Sequence, residues 1–247
     1  MQVPKNWFET WFNTPYYHLL YQHRNEAEAA LFIANLLNSL NVPQNSRLLD
    51  LACGKGRHAQ FMAQKGYEVI GLDLSEESID YAKQFENDRL HFFVHDMRRV
   101  FKTEYFDYVF NFFTSFGYFD DEKDNEKTIA AIRQQLKKNG YLVIDFLNAH
   151  KIIANLVPQE TKIIEGVRFD ITRSVENKCI VKRIKVIDEE KNYQAHFSEK
   201  VQALTQKDFE GYLTKHGFAI KAWYGNYKLG SFEEKSADRL IVLAQKL

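Results

Sequence analysis

A short apolar run that leads into two glycines and a helix is the part of the sequence best suited to chemistry. It spans residues 48–59 and reads LLDLACGKGRHA. Glycines let a backbone approach a ligand closely, and the N-terminus of a helix offers free N–H groups to a bound anion. In an open parallel sheet, ligands bind at the carboxyl ends of the strands, near the point where the strand order reverses. The spacing Gly54-x-Gly56 therefore predicts a ligand-binding loop, although it also occurs in simple tight turns.

Two classes of ligand fit this loop. The spacing Gly54-x-Gly56-x-x-Ala59 matches a dinucleotide pattern, and Asp73 follows Gly54 by 19 residues, where a ribose-binding acid is expected. The other class is S-adenosylmethionine, which has a cationic sulfonium and ammonium and no phosphate. Asp50 favours the second class, because a carboxylate four residues before Gly54 would repel a pyrophosphate and attract a cationic amino-acid tail.

A third acidic residue follows the next apolar run. Asp96 comes directly after residues 90–94, in the sequence Val94-His95-Asp96-Met97. The carboxyl ends of parallel strands line one crevice, so Asp50, Asp73 and Asp96 are expected to face one elongated ligand. Each acid alone could be a solvated loop residue; the coincidence of all three at predicted strand ends favours a shared groove.

Together these features resemble the class I S-adenosylmethionine-dependent methyltransferases over roughly residues 45–148. The usual first motif of that family is a strand ending in D-x-G-x-G-x-G, and here Ala52 replaces the first glycine. The final run, residues 239–242, and the strand predicted before it are similar to the antiparallel hairpin of that fold. The resemblance implies binding of S-adenosylmethionine and release of S-adenosylhomocysteine.

The resemblance also implies where each residue meets the cofactor. The contacts with the methionine end come from the loop residues Asp50, Ala52, Cys53, Gly54 and Gly56. The contacts with the nucleoside are Asp73 on the ribose hydroxyls, Leu74 and Met97 beside the adenine, and Asp96 on its amino group. The residues near the sulfonium are Asn111 and Phe112. For Cys53, packing behind the loop explains the residue better than a nucleophilic role.

Two aromatic segments are candidates for the substrate side. The first is an N-terminal lid with Tyr16, Tyr17, His18, Tyr21 and Arg24, although these aromatics could simply pack on the core. His18 is a base candidate there, since the ordinary pKa of histidine is about 6.5. The second segment is residues 113–119, where Ser115 and Tyr118 lie in a Ser-Phe-Gly-Tyr stretch similar to that of small-molecule methyltransferases. Methyl transfer from a sulfonium depends mainly on alignment and exclusion of water, so no catalytic triad is expected.

The elements that must position these residues alternate between strand and helix. Strands are predicted at residues 47–53, 67–72, 90–94, 106–113 and 141–147, with helices at 25–40, 56–65, 75–85 and 124–138. This alternation predicts an α/β, doubly wound, mostly parallel seven-stranded sheet. Residues 160–202 instead alternate apolar and charged residues with no helix between the runs, which is typical of antiparallel strands. The predicted domains are a helical and aromatic cap at 1–44, a core at 45–154 and 204–247, and an antiparallel β insertion at 155–203.

Composition narrows the function further. Of the 247 residues, 33 are Lys or Arg and 33 are Asp or Glu, and the basic residues of the insertion are interleaved with acids, so no nucleic-acid partner is expected. Two cysteines cannot form a disulfide framework or a four-ligand zinc site, so no metal is expected. With no signal peptide or apolar run of about 20 residues, we expect a cytoplasmic protein that has no membrane partner.

The resulting hypothesis is an enzyme that transfers a methyl group from S-adenosylmethionine to a small or medium acceptor by in-line displacement. The acceptor atom stays open, as does the choice between a monomer and a homodimer. Two alternatives remain: an NAD-dependent oxidoreductase, supported by the spacing from Gly54 to Ala59, and a non-catalytic cofactor-binding protein.

Overall fold

A computed structural model describes residue 3, residues 7–21 and residues 26–247 of the chain. Within them the strands, in chain order, are β1 (Arg47–Leu51), β2 (Glu68–Asp73), β3 (Leu90–Val94), β4 (Phe106–Asn111), β5 (Leu136–Leu147), β6 (Gln159–Ile164), β7 (Val167–Glu176), β8 (Cys179–Asp188), β9 (Tyr193–Gln202), β10 (Phe218–Tyr224) and β11 (Arg239–Lys246). The helices are α1 (Trp7–Trp11), α2 (Pro15–Leu20), α3 (Glu26–Ser39), α4 (Arg57–Gln64), α5 (Glu76–Ala82), α6 (Glu122–Gln135), α7 (Ala149–Ala154) and α8 (Gln206–Lys215). No helix in these described ranges is long and apolar enough to cross a membrane.

The larger sheet has seven strands in the order β10-β11-β5-β4-β1-β2-β3. The pairs from β5 to β3 are parallel, whereas β11 is antiparallel to both β5 and β10. The predicted doubly wound, mostly parallel sheet is therefore confirmed, including its antiparallel edge. The strand order reverses between β1 and β4, which places a ligand-binding crevice at their carboxyl ends.

Helices cover both faces of this sheet because its central strands are apolar on both sides. On one face Phe32 and Met62, from α3 and α4, are completely buried, and on the other Ile132 and Leu213, from α6 and α8, are equally buried. Full burial of such a side chain contributes about 1.5–3 kcal/mol. The two apolar layers fix the strand ends rigidly, which is the condition for a pre-formed site.

The smaller sheet has four antiparallel strands in the order β6-β7-β8-β9. Along β7 the side chains of Val167, Phe169 and Ile171 are buried in alternation with more exposed residues, so one face of the sheet is apolar. That face packs against α1 and α2, where Trp7, Trp11 and Leu20 are buried. We call residues 7–21 the cap. The division of the chain into domains stays a prediction.

Three local features bear on the predicted elements. The helix expected at residues 124–138 ends at Gln135, because Leu136 is already extended and pairs with Phe106. The short helix α7 was not predicted. A capping box begins α8, with the Thr205 side chain accepting from the Asp208 backbone N–H and the Asp208 side chain accepting from the Thr205 backbone N–H.

Candidate functional site

A cavity of about 480 Å³ lies at the carboxyl ends of β1 to β4, under part of the cap. We call it the strand-end cavity. The candidate site residues that line it are Tyr17, His18, Tyr21, Ala52, Cys53, Gly54, Asp73, Leu74, Asp96, Met97, Phe112, Ser115 and Tyr118. The fold thus brings most of the candidate residues from five separate segments to one place.

The two glycines of the loop after β1 have different surroundings. Gly54 has φ +54°, and a Cβ added there would meet nothing within 4 Å, so the backbone at this point faces open space. Gly56 has φ +78°, and an added Cβ would lie 2.5 Å from the ring of Phe92. Gly56 does not line the cavity, and its role is to let the start of α4 pack against β3. Ala52 also has a positive φ of 62°, a conformation that favours glycine.

Asp73, at the end of β2, is held by backbone amides. Its Oδ2 accepts from the Gly54 N–H at 2.7 Å and its Oδ1 accepts from the Ser75 N–H at 2.9 Å. Burial raises the pKa of Asp73, and the two hydrogen bonds from backbone N–H groups limit this rise. Each carboxylate oxygen has a further lone pair, so Asp73 can accept from the hydroxyls of a ligand in the cavity.

Asp50, inside β1, does not line the cavity. Its side chain is almost completely buried, and among the described residues neither of its oxygens has a hydrogen-bond partner. Burial, together with the nearby charge of Asp73, raises the pKa of Asp50 to about 7. The expectation that three acids face one groove is therefore wrong for Asp50. It lies behind the groove as a buried carboxyl group, and the backbone of Ala59 and the charge of Arg57 offset only part of the effect of burial on its pKa.

Asp96, after β3, already has a cationic partner. Its two oxygens accept from the Arg98 guanidinium, with the shortest contact, Nη2 to Oδ2, at 2.6 Å. Partial burial alone would raise the pKa of Asp96, but the hydrogen bonds from Arg98 outweigh it and hold the pKa below its usual value. Arg98 also donates to Asp124 at 2.8 Å. Arg98 lines the cavity as well and was not predicted.

At the end of β4 one candidate residue faces the cavity and one does not. Phe112 lines it, whereas Asn111 is completely buried and donates from Nδ2 to the Leu51 carbonyl at 2.8 Å, tying β4 to β1. His58 lines the cavity without having been predicted, and its ring stacks on Phe113 with centroids 5.0 Å apart. Burial lowers the pKa of His58 to about 3, so this imidazole is neutral.

The cap closes one side of the strand-end cavity. Ser75, the N-cap of α5, donates to Asn13 of the cap. His18 lines this cavity, and burial lowers the pKa of its imidazole. Tyr16 lines neither this cavity nor the second one described below: its hydroxyl donates to Asp188 at 2.9 Å and it packs on the small sheet. Arg24 lies outside the described residues.

A second cavity, of about 500 Å³, adjoins the first. We call it the cap cavity. Aromatic side chains line both cavities and form a shared wall: Phe12, Tyr17, Tyr21, Phe113 and Tyr118. The charged residues on the lining of the cap cavity, Glu199, Asp238 and Arg239, come from β9 and from the end of the chain. None of the three was predicted.

The wall between the cavities is held by a strained turn. Phe113 and Thr114 have φ of 57° and 62°, a conformation that costs most residues about 1–3 kcal/mol. Asp145, completely buried at the end of β5, accepts from the Phe113 N–H at 3.0 Å and from Arg239 Nε at 2.7 Å. Arg239 also donates to the Thr114 hydroxyl at 2.9 Å. The Asp145–Arg239 pair therefore fixes the turn. The available signal was an acidic residue within an apolar strand, the same signal that singled out Asp50.

Comparison with known proteins shows which proteins this chain resembles. Residues 48–140 match the family model described as a methyltransferase domain. The chain is 35% identical over 124 residues to YqeM of Bacillus subtilis (strain 168), which is named as a methyltransferase. It is 32% identical over 132 residues to a dTDP-3-amino-3,4,6-trideoxy-alpha-D-glucopyranose N,N-dimethyltransferase of Streptomyces venezuelae. These matches cover 49% and 52% of the chain, which spans about half the length of each relative, 50% and 54%.

The fold has a close match among solved structures. An S-adenosylmethionine-dependent methyltransferase from Clostridium acetobutylicum superposes with a TM-score of 0.80 over 94% of this chain and 96% of that one, at 21% identity. A sequence identity of 21% supports a shared fold and nothing more. Together with the family model, which matches residues 48–140, the superposition confirms the predicted resemblance to class I S-adenosylmethionine-dependent methyltransferases, whose fold this chain has.

Proposed function

We propose that the chain is an S-adenosylmethionine-dependent methyltransferase whose acceptor is a small molecule. The observation that carries the proposal is the pairing of Asp73 with the backbone of Gly54 at the edge of the strand-end cavity. This arrangement presents a carboxylate to ligand hydroxyls beside a loop whose backbone is open. The proposal includes a cytoplasmic protein with no nucleic-acid or membrane partner, as a monomer or a homodimer.

The residues of the cavity suit the chemistry of this cofactor. Asp73 would hold the ribose hydroxyls, with Leu74 and Met97 as apolar contacts for the base, and Asp96 would share its oxygens between Arg98 and the adenine amino group. The buried carboxylate of Asp50 lacks a partner, which favours a cationic ligand and disfavours a diphosphate. When bound, S-adenosylmethionine supplies an activated methyl group. The same loop with a compensated Asp50 would have suited NAD better.

The protein's own contribution is alignment and exclusion of water. The cap covers the strand-end cavity, and the wall at Phe113 and Tyr118 separates it from the cap cavity, where an acceptor of modest size can lie. A cavity of about 500 Å³ is typical of small-molecule sites. Burial lowers the pKa of His18 and so favours its neutral form, which can take a proton from a group of the acceptor that reaches the strand-end cavity.

Titration calorimetry with S-adenosylmethionine, S-adenosylhomocysteine and NAD tests the cofactor. We expect binding of the first two and none of NAD; tight binding of NAD alone would overturn the proposal. The variant Asp73→Ala should weaken S-adenosylhomocysteine binding by about 1–3 kcal/mol, because the ribose loses a charged acceptor. Asp80→Ala, on the exposed side of α5, is the matched control and should bind like the wild type. Cofactor binding without transfer to amines, phenols, thiols or carboxylates would favour the non-catalytic alternative.

A further inference from the structure

Arg98 lines the strand-end cavity beside Asp96, at the end where the base of the cofactor is proposed to lie. Its Nε and Nη2 donate to the Asp96 carboxylate at 3.0 and 2.6 Å. Its Nη1 donates at 2.8 Å to Asp124, in the first turn of α6, and its Cζ lies 5.0 Å from the centre of the Phe119 ring. A planar guanidinium with these contacts has a fixed orientation, and it therefore holds the Asp96 carboxylate in one plane.

The Asp96 carboxylate keeps capacity for one more hydrogen-bond donor. The backbone N–H of Arg98 donates to Oδ1 at 2.9 Å, Nε is shared between the two oxygens at 3.0 Å each, and Nη2 donates to Oδ2. A carboxylate has about four acceptor positions, and these donors leave about one of them for a ligand. The side chain is 17% exposed and lines the cavity, so a ligand can reach it.

The charge of Arg98 decides which kind of donor fits that position. A full positive charge already lies at hydrogen-bond distance from Asp96, so a second cation would gain little there. Burial raises the pKa of Asp96, but the hydrogen bonds from Arg98 outweigh burial and hold the pKa below its usual value. Asp96 is therefore ionised and can only accept. A neutral N–H donor fits such a group, whereas a carbonyl oxygen is repelled by it.

We propose that Arg98 is the positioning residue that makes the strand-end cavity specific for a purine with an amino group at position 6. It aims the Asp96 carboxylate at the base and keeps it an acceptor, so that a purine with an oxygen at that position is rejected. This inference rests on the proposed function, which places the base of the cofactor beside Asp96. A purely structural role for Arg98, as a tie between the loop after β3 and α6, would leave the choice of base unaffected.

Two ligands that differ in one group of the base test the specificity. S-adenosylhomocysteine carries the amino group, and its deaminated analogue S-inosylhomocysteine carries a carbonyl oxygen in its place. Each is titrated into the wild-type protein in a calorimeter, and we expect S-adenosylhomocysteine to bind about tenfold or more tightly. Equal binding of the two would overturn the inference and leave the proposed function standing. No binding of S-adenosylhomocysteine would mean that the proposed function itself has failed.

Two variants of Arg98 separate positioning from a purely structural role. Arg98→Met removes both the charge and the donors, so the preference should fall to about threefold or less at pH 7. Arg98→Lys keeps the charge but loses the planar fork of donors, so the preference should fall in this variant as well. A preference that stays at the wild-type value in either variant, with both ligands weakened equally, would assign Arg98 to the fold and overturn the inference.

The pH dependence of the preference gives an independent readout. Without Arg98, burial raises the pKa of Asp96, and a protonated carboxyl group can donate to the carbonyl oxygen of the analogue. From pH 7 to pH 5 the preference should therefore decrease further in Arg98→Met, whereas it should stay constant in the wild type and in Arg98→Lys. The ionisable neighbours Arg99 and His95 are present in all three proteins, so a difference between them isolates Asp96. Identical pH profiles in the wild type and Arg98→Met would contradict the inference.

Arg47→Met is the matched control. Arg47 also pairs with a carboxylate, that of Glu68 at 3.2 Å, and lies over an aromatic ring, with Cζ 4.4 Å from the centre of Tyr105. It stands at the start of β1 and lines neither cavity, so its variant should keep the wild-type preference.

Asp96→Asn tests the contact with the base directly. A side-chain amide both accepts and donates, so this variant should bind the two ligands with similar affinity. A wild-type preference in Asp96→Asn would place the base elsewhere and overturn the inference.

Discussion

The strand-end cavity and the cap cavity are similar in size but differ in how the chain builds them. The first is formed mainly by loops that follow successive strands, so the residues on its floor recur at regular intervals between positions 52 and 98. The second is assembled from the cap, the turn after β4, β9 and residues 226–239, which are far apart in sequence. A site of the first kind leaves a pattern in the sequence, whereas a site of the second kind depends on packing between distant segments.

The two cavities also differ in whether the buried charged groups beside them have partners. Behind the strand-end cavity the carboxyl group of Asp50 has no side-chain hydrogen-bond partner in the described part of the chain, whereas at the cap cavity Asp145 and Arg239 neutralise each other. A buried ionisable side chain without a side-chain partner is typical of a functional site. A complete pair is typical of a scaffold. We therefore expect changes at Asp50 to act through the ligand and changes at Asp145 to act through the fold.

The largest expected effect is that of Asp145→Ala on stability. The change leaves the Arg239 guanidinium, 19% exposed, without its carboxylate, which should lower the free energy of unfolding by about 3–5 kcal/mol. Urea denaturation measures it. The double variant Asp145→Ala, Arg239→Met should recover much of the loss, because no unpaired charge remains.

Glu126→Ala supplies the control for this pair. Glu126 pairs with Lys215 at the surface, where solvent screens the pair, so the loss there should be much smaller. In the stable double variant, the turn at Phe113 loses its anchor, so methyl transfer should fall while S-adenosylhomocysteine still binds. Equal stability losses in Asp145→Ala and Glu126→Ala would remove the distinction between scaffold and site.

The two cavities also show which parts of the structure could be predicted from the sequence. The sheet was predictable because apolar strands and amphipathic helices alternate, and Asp73 and Asp96 were identifiable because each follows a strand. Glu199 was not, since it lies in a β run of alternating polar residues that is typical of a solvated sheet face. The position of the cap decides whether such a face is exposed to solvent or lines a cavity. No local sequence pattern specifies that position. Asn111 was misplaced for a related reason: its side chain turns towards β1.

A smaller effect is expected for Asp50→Asn, which should stabilise the free protein at high pH but weaken ligand binding. Because burial raises the pKa of Asp50 to about 7, its contribution to the stability of the free protein is present at low pH and lost as the pH rises through 7. At pH 8 the variant should therefore be more stable than the wild type, by on the order of 2 kcal/mol. Thermal unfolding at pH 5 and pH 8 tests this.

Ligand binding should show the converse. The ionised carboxylate attracts the cationic amino-acid tail, so the affinity of the wild type for S-adenosylmethionine should fall as the pH drops from 8 to 6, while Asp50→Asn should bind weakly at both. Calorimetry at the two pH values gives the slope. The same slope in wild type and variant would assign the titration to another group and undo the contrast with Asp145.

The smallest effect should separate two neighbouring tyrosines of the cap. Tyr16→Phe removes the hydrogen bond to Asp188, a carboxylate that is also held by Lys191, so the free energy of unfolding should fall by only about 1 kcal/mol. Because Tyr16 faces the small sheet, its variant should bind S-adenosylhomocysteine as the wild type does. Tyr17→Leu should show the reverse profile, since Tyr17 lines both cavities. A change of more than about twofold in ligand affinity for Tyr16→Phe would mean that the small sheet and the site are coupled through the cap.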